Sequence, residues 1–211
     1  MTPPTGNLTV DYALRALFQD RTSLRNMCGV VVNPSDGLGN VLKSCEDGDM
    51  LILLPGEYDC YETFTITKRI IMFGLGATIV GNGLLLNVAA DEAQVRNVGF
   101  RRLDRSATRG TDAAVKVTGN AVLVDACVIS TPGSIGLQVN GNYCSAQNNA
   151  FLANASHVAG DADVYWSDGA TLGTACGNMW SRTAGTFVLD YRWIDNLTES
   201  ANGNAGIVNI R

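Results

Sequence analysis

Histidine is almost missing from this 211-residue chain: the only one, His157, sits in the turn-like stretch "FLANASHVAGD" with no base or nucleophile beside it. A histidine-centred catalytic arrangement therefore has no partners to draw on, and a solvated loop is the expected setting of His157. Zinc is not expected either. The six cysteines, Cys28, Cys45, Cys60, Cys127, Cys144 and Cys176, show no CxxC spacing and no neighbouring histidine. Charge is sparse, at 17% of residues with a net of −5, and the basic residues are scattered, which argues against nucleic acid as a partner. The densest basic cluster, Arg96, Arg101, Arg102, Arg105 and Arg109, reads as a solvated rim or salt-bridging face, with contact to an acidic partner surface as the alternative. No apolar run is long enough to cross a membrane. The opening "MTPPTGNLTVDYALRALF" lacks a positive start, an apolar run and a small-residue cleavage site, so a secretory signal is not expected. Free thiols follow from that reading, with a Cys45–Cys60 disulfide as the alternative. The sequons at Asn7, Asn154 and Asn196 then carry no glycosylation meaning. Helical periodicity is also missing beyond about residue 45.

What the chain does have is a repeat. Val95, Val98 and Phe100 recur as Val124, Cys127 and Ile129, as Ala146, Asn149 and Phe151, and as Ala175, Asn178 and Trp180. The steps from 95 to 124, 124 to 146 and 146 to 175 are 29, 22 and 29 residues, a period typical of stacked solenoids. A second series, Leu86, Val115, Leu137, Val164 and Val188, centres the segments Leu84–Val88, Ala113–Val117, Ile135–Val139, Ala162–Trp166 and Thr186–Asp190. These segments are short and rich in Val, Ile, Leu and aromatics, with Gly, Asn, Asp and Ser between them, so they read as strands separated by turns. With 46% apolar residues and 23 glycines, the chain has material for one continuous core and many tight turns. If each repeat is one coil, like residues stack on like about 4.8 Å apart, which describes an all-β parallel β-helix. About six coils give a rod only about 30 Å long.

The stretch from Asp47 to Gly74 carries a family resemblance. Gly48 and Asp49 lead into the apolar Met50–Leu54, then a Pro55-Gly56 turn, a Gly56-Glu57-Tyr58 step, and a strand from Lys68 to Gly74. This order resembles the opening coil of the right-handed parallel β-helix proteins of the pectate lyase and pectin esterase type. The upstream "VVVNPSDGLGNVLKSCEDGD" is similar to that superfamily's first strand and short capping helix. The resemblance implies a single-stranded right-handed β-helix over residues 29–211. It leaves function open, because this architecture hosts lyases, hydrolases, esterases and inert virion proteins. It also implies that Asn149 and Asn178, at one repeat position, stack as a hydrogen-bonded ladder, a device of these proteins; Asn196 would be a third member, although it lies only 18 residues beyond Asn178, short of a full coil.

Residues 1–28 differ in kind. Pro3, Pro4 and Gly6 suggest an extended arm, and Tyr12, Leu14, Leu17 and Phe18 in "DYALRALFQDRTSLRNM" suit a short amphipathic helix. Its ordinary role is to cap the open end of the β-helix, and the alternative is an arm reaching a neighbouring subunit. At the other end "AGIVNIR" is strand-like up to Arg211 with no obvious cap, a second reason to expect a homo-oligomer.

The catalytic motifs that the resemblance implies are incomplete. Trp193-Ile194-Asp195-Asn196 has asparagine where lyases of this type have histidine, and no RxPxxR-like segment exists, the prolines being Pro3, Pro4, Pro34, Pro55 and Pro132. "GDADVYW" at 160–166 echoes one esterase segment, with Asp163 as the matching nucleophile, but the acid/base and arginine partners are lacking. Asp161 and Asp163 alternate and would share one strand face. No catalytic set, metal or cofactor is assigned on these grounds. The expected function is a non-catalytic structural or assembly protein, such as a bacteriophage capsid decoration (cement) protein, made in the host cytoplasm and located in the virion. It would act as a homotrimer docked on a capsid or tail protein, with neither nucleic acid nor membrane as partner. The alternative is a carbohydrate-active enzyme or sugar-binding domain using a β-helix groove. Asp161, Asp163 and Asp195 are its candidate residues, and Tyr165, Trp166, Trp180, Tyr191 and Trp193 could stack on sugar rings.

Overall fold

The computed structural model describes residues 29–104, 113–132, 135–152, 164–167, 170, 173–181, 189–191 and 197–199. The strands are short because each spans one side of a coil. After β1 (Val30–Val32) come a 3-10 turn (Pro34–Asp36) and one helix, α1 (Leu38–Ser44). The first coil is β2 (Met50–Leu53), β3 (Gly56–Cys60) and β4 (Phe64–Ile66), and the second is β5 (Ile71–Gly74), β6 (Ala77–Gly81) and β7 (Leu86–Val88). The third is β8 (Gln94–Arg96), β9 (Gly99–Arg102) and β10 (Ala113–Val117); the fourth is β11 (Leu123–Asp125), β12 (Val128–Ser130) and β13 (Ile135–Val139). The fifth is β14 (Ser145–Gln147), β15 (Ala150–Leu152) and β16 (Val164–Trp166); the sixth is β17 (Gly173–Cys176), β18 (Met179–Ser181) and β19 (Leu189–Tyr191), followed by β20 (Leu197–Glu199).

Every pairing is parallel and joins a strand to its counterpart one coil away. The first sheet runs β1-β2-β5-β8-β11-β14-β17-β20, the second β4-β7-β10-β13-β16-β19 and the third β3-β6-β9-β12-β15-β18. This is a parallel β-helix, and its eight-stranded side is about 34 Å long at 4.8 Å per strand. Alternation along each strand sends one set of side chains into the shared interior. In the first sheet Leu51, Met72, Val95, Val124, Ala146 and Ala175 stack in register, all buried. In the third, Tyr58, Ile79, Phe100, Ile129 and Phe151 do the same, and Trp180 takes the next register position. Each such large side chain contributes roughly 1.5–3 kcal/mol of hydrophobic stabilisation. The three-position repeat read from the sequence is this register.

The second series holds through Leu86, Val115, Leu137 and Val164, but the fifth member is Leu189 rather than Val188, since Val164 pairs with Leu189. A one-residue slip exchanges the two faces of a strand. The observed register sets Asp190 opposite Tyr165, in the outward row, instead of at an inward position where a carboxylate would be costly.

The lower end of the core is closed by α1. Leu38 and Leu42 are buried, and α1 and the 3-10 turn pack against β4 and β3 respectively. Asp36 accepts from the Asn33 backbone N–H at 2.7 Å and from its side-chain amide at 3.0 Å, which secures the turn that leads into α1. The short capping helix expected by resemblance is thus residues 38–44, and residues 1–28 lie outside the described residues. Tyr58 explains the Gly-x-Tyr step. It is buried, and its hydroxyl donates to the carbonyls of Val32 at 2.7 Å and Leu54 at 3.0 Å, tying β3 to the ends of β1 and β2.

Candidate functional site

The bend between the first and third sheets takes two residues. In the third to sixth coils its first position is left-handed, at Asn97 (φ 55°), Ala126 (φ 53°), Asn148 (φ 54°) and Gly177 (φ 64°). The second position points inward and holds Val98, Cys127, Asn149 and Asn178. The two asparagines are fully buried and form the expected ladder. The Asn149 side-chain oxygen accepts from the Cys127 backbone N–H at 2.9 Å. The Asn149 amide donates to the Val124 carbonyl at 3.0 Å and to the Asn178 side-chain oxygen at 3.1 Å. Asn178 in turn accepts from the Asn149 backbone N–H at 3.0 Å and donates to the Ala146 carbonyl at 3.0 Å. These amides satisfy backbone groups that a tight bend leaves without a strand partner. Asn196 lies outside the described residues.

A second ladder, on the outside of the bend between the second and first sheets, was not read from the sequence. The Asp91 carboxylate accepts from the Asn120 backbone N–H at 2.7 Å, and the Asn120 side-chain oxygen accepts from the Asn142 N–H at 3.0 Å. Two coils earlier, Asp47 accepts from the Arg69 N–H at 2.8 Å. The signal was present, since 91 to 120 and 120 to 142 repeat the core steps of 29 and 22 residues. Asp47, Arg69, Asp91 and Glu92 line a shallow open depression here, where Arg69 and Glu92 form an exposed ion pair at 3.1 Å. Asp47 and Asp91 already bind backbone N–H groups of the following coil, so they serve the stacking.

The basic cluster is largely salt-bridging where it is described. Arg101 meets Glu57 at 2.7 Å across the third sheet. Arg102 is buried rather than solvated and forks onto Asp104, Nε to one carboxylate oxygen at 2.8 Å and a terminal nitrogen to the other at 3.0 Å. That contact, with the Gly83 N–H at 2.7 Å, holds the Asp104 carboxyl below its usual range against an opposing push from burial. Arg105 and Arg109 lie outside the described residues.

Cys60, Cys127 and Cys144 are poor nucleophiles. Cys45, Cys60, Cys127 and Cys144 are buried thiols and Cys176 is a half-buried one, and Cys28 lies outside the described residues. The Cys45–Cys60 disulfide is not formed: the Cys45 thiol donates to the Val41 carbonyl within α1 and the Cys60 thiol to the carbonyls of Glu62 and Leu85. Burial pushes the Cys127 thiol up to about 12 and raises Cys60 and Cys144 as well, which suppresses the reactive thiolate.

The sugar-site candidates Asp161, Asp163 and Asp195 lie outside the described residues, as do His157 and Trp193. Of the aromatic candidates, Trp166 is fully buried in the core and its indole N–H has no partner among the described residues. Tyr165 is half-buried and follows Thr65, Asn87, Lys116 and Gln138 in register along an outward row of the second sheet. Beside it, the side-chain oxygens of Gln138 and Asn140 are buried without a partner among the described residues. No group of three or more His, Cys, Asp or Glu able to hold a metal occurs among the described residues, and no described helix is long and apolar enough to cross a membrane.

The outer face of the third sheet has a different character. Val128 (42% exposed) and Leu152 (39%) stand on adjacent strands with Ala150 between them, and the Glu57–Arg101 pair lies toward the other end of the same face. No protein-family model matches the chain, and no curated protein sequence matches it.

Proposed function

We propose that this protein is a non-catalytic structural module, a virion component such as a bacteriophage capsid decoration (cement) protein, acting as a homotrimer docked on a capsid or tail protein. The observation that carries this reading is the outer face of the third sheet. Val128, Ala150 and Leu152 present apolar surface on a regularly paired sheet that also carries the Glu57–Arg101 ion pair, and exposed apolar surface rimmed by polar groups is what a protein-docking patch offers. The resemblance of the opening coil to the right-handed pectate lyase and pectin esterase-like β-helices supports a place in that superfamily without its catalytic motifs. Light scattering at several protein concentrations tests the reading. A stable trimer is expected. A monomer at every concentration that binds no larger assembly would count against it.

A second reading, a sugar-binding or carbohydrate-active groove on the second sheet, is favoured by one observation. Tyr165 and the row Asn87, Lys116 and Gln138 offer a ring and hydrogen-bonding groups in line along the rod, the combination that sugars require. Under this reading Asp163→Asn or Asp161→Asn abolishes turnover of an acidic polysaccharide. An inactive wild type, or undiminished activity in the variants, refutes it.

A further inference from the structure

Outward positions of the first sheet change character along the rod. On the later strands they are mostly polar: Gln94 and Arg96, then Asp125, Ser145 and Gln147, then Thr174. On the first three strands they are all apolar. Val31, Ile52 and Phe73 form one outward column and Met50 and Ile71 the other, with Leu75 just beyond β5. Met50 and Leu75 are 39% and 46% exposed, and the other four are half-buried. An apolar outward face confined to one end of a sheet calls for a covering element there.

The sequence places a suitable element at the same end. The 28 residues preceding Gly29 join the sheet through β1, the strand that carries Val31. They contain the apolar series Tyr12, Leu14, Leu17 and Phe18, with Arg15 inside it and Arg21 and Arg25 after it. Closing the lower end of the core is already the work of α1, so these residues are not needed there. The junction is built for a turn against the sheet. Gly29 has φ +82°, and a Cβ on it would come within 2.5 Å of the Met50 carbonyl oxygen, so only glycine allows the chain to leave β1 that close to β2. Length also matches. A helix of 17 residues is about 25 Å long, enough to cross three strands spaced about 4.8 Å apart. A tether this short gives the segment a high effective concentration over its own face.

We propose that residues 1–28 dock in cis, through the Tyr12–Phe18 apolar face, on the outward surface of β1, β2 and β5. This inference is independent of the proposed virion role, because it uses a different face from Val128 and Leu152. It is tested in the full-length chain with a photo-crosslinking p-benzoylphenylalanine in place of Leu17, in an equal mixture of ¹⁴N- and ¹⁵N-labelled protein. The expected result is crosslinks to peptides containing Ile52, Ile71 or Phe73 in which both halves carry the same isotope, and their loss in a Phe73→Asp variant with unchanged circular dichroism. Mixed-isotope crosslinks to this face would assign it to a second copy and overturn docking in cis. Crosslinks elsewhere, or none, would overturn the site itself.

Discussion

Replacing Asn149 by alanine isolates the role of the internal ladder. The Asn149 side chain is fully buried and holds two backbone groups of the preceding coil, the Cys127 N–H in its bend at 2.9 Å and the Val124 carbonyl on β11 at 3.0 Å. Alanine leaves both without a partner in a bend too tight to admit a strand contact. A buried polar group stranded in this way costs about 1–3 kcal/mol, so the two together cost about 2–6 kcal/mol, and ~4 kcal/mol is the expected loss. That is a large share of the 5–15 kcal/mol typical of a domain. The neighbouring Asn148→Ala is the control, because Asn148 is exposed and Ala126 already occupies the same left-handed position one coil below at φ 53°. It is expected to cost less than about 1 kcal/mol. Urea unfolding followed by circular dichroism measures both, and a cycle with Asn178→Ala reads the coupling across the 3.1 Å amide contact. If Asn149→Ala loses no more stability than Asn148→Ala, the ladder is not what satisfies this bend and the reasoning fails.

Alkaline pH should weaken the fold through the buried thiols. Cys127 rises from 9.0 to about 12 on folding because burial disfavours the thiolate. Its contribution is therefore complete below pH 9.0 and disappears as pH climbs towards about 12; a flat urea midpoint across pH 8.5–11 would contradict this, as would reaction of native Cys127 with a disulfide reagent at pH 8. The Asp104 contribution runs the other way. Its lowered carboxyl adds stability above the ordinary value of 3.8 that is lost as pH falls through the folded value, and Asp104→Asn should cost roughly 1–3 kcal/mol by weakening a charged hydrogen bond to buried Arg102. Unchanged thermal stability of that variant at pH 7 would show that Arg102 is held by other means. Gly173→Ala should overpack the core by about 1–3 kcal/mol, since a Cβ there would lie 2.5 Å from the Trp166 indole nitrogen. Trp166→Phe in the same chain should recover part of the loss, and strict additivity of the two melting shifts would rule out the contact.

A parallel β-helix writes its register directly into sequence, because residues one coil apart touch and face the same environment. Val95, Val124, Ala146 and Ala175 could therefore be aligned from spacing alone, and the polar break in the neighbouring series at Asn149 and Asn178 marked the ladder. The same logic held for the outer ladder of Asp91, Asn120 and Asn142, but exposed polar residues in turns are common enough to hide a repeat that apolar ones reveal. Register was lost between β18 and β19, where adjacent Val188 and Leu189 both fit an inward position and pairing with Val164 selects the second.

Composition, spacing and turn residues were enough to determine the architecture and the inward columns, since both are local patterns repeated at short range, whereas the asparagine stack was implied by the resemblance to known β-helices. Tertiary structure alone decided that Arg102 is buried against Asp104 and that the outward face of the first sheet turns apolar beside β1. Each of these depends on which outer surfaces meet another element. The coil-to-coil repeat governs the interior and leaves the outside of every strand free to vary, so those surfaces could not be read from spacing.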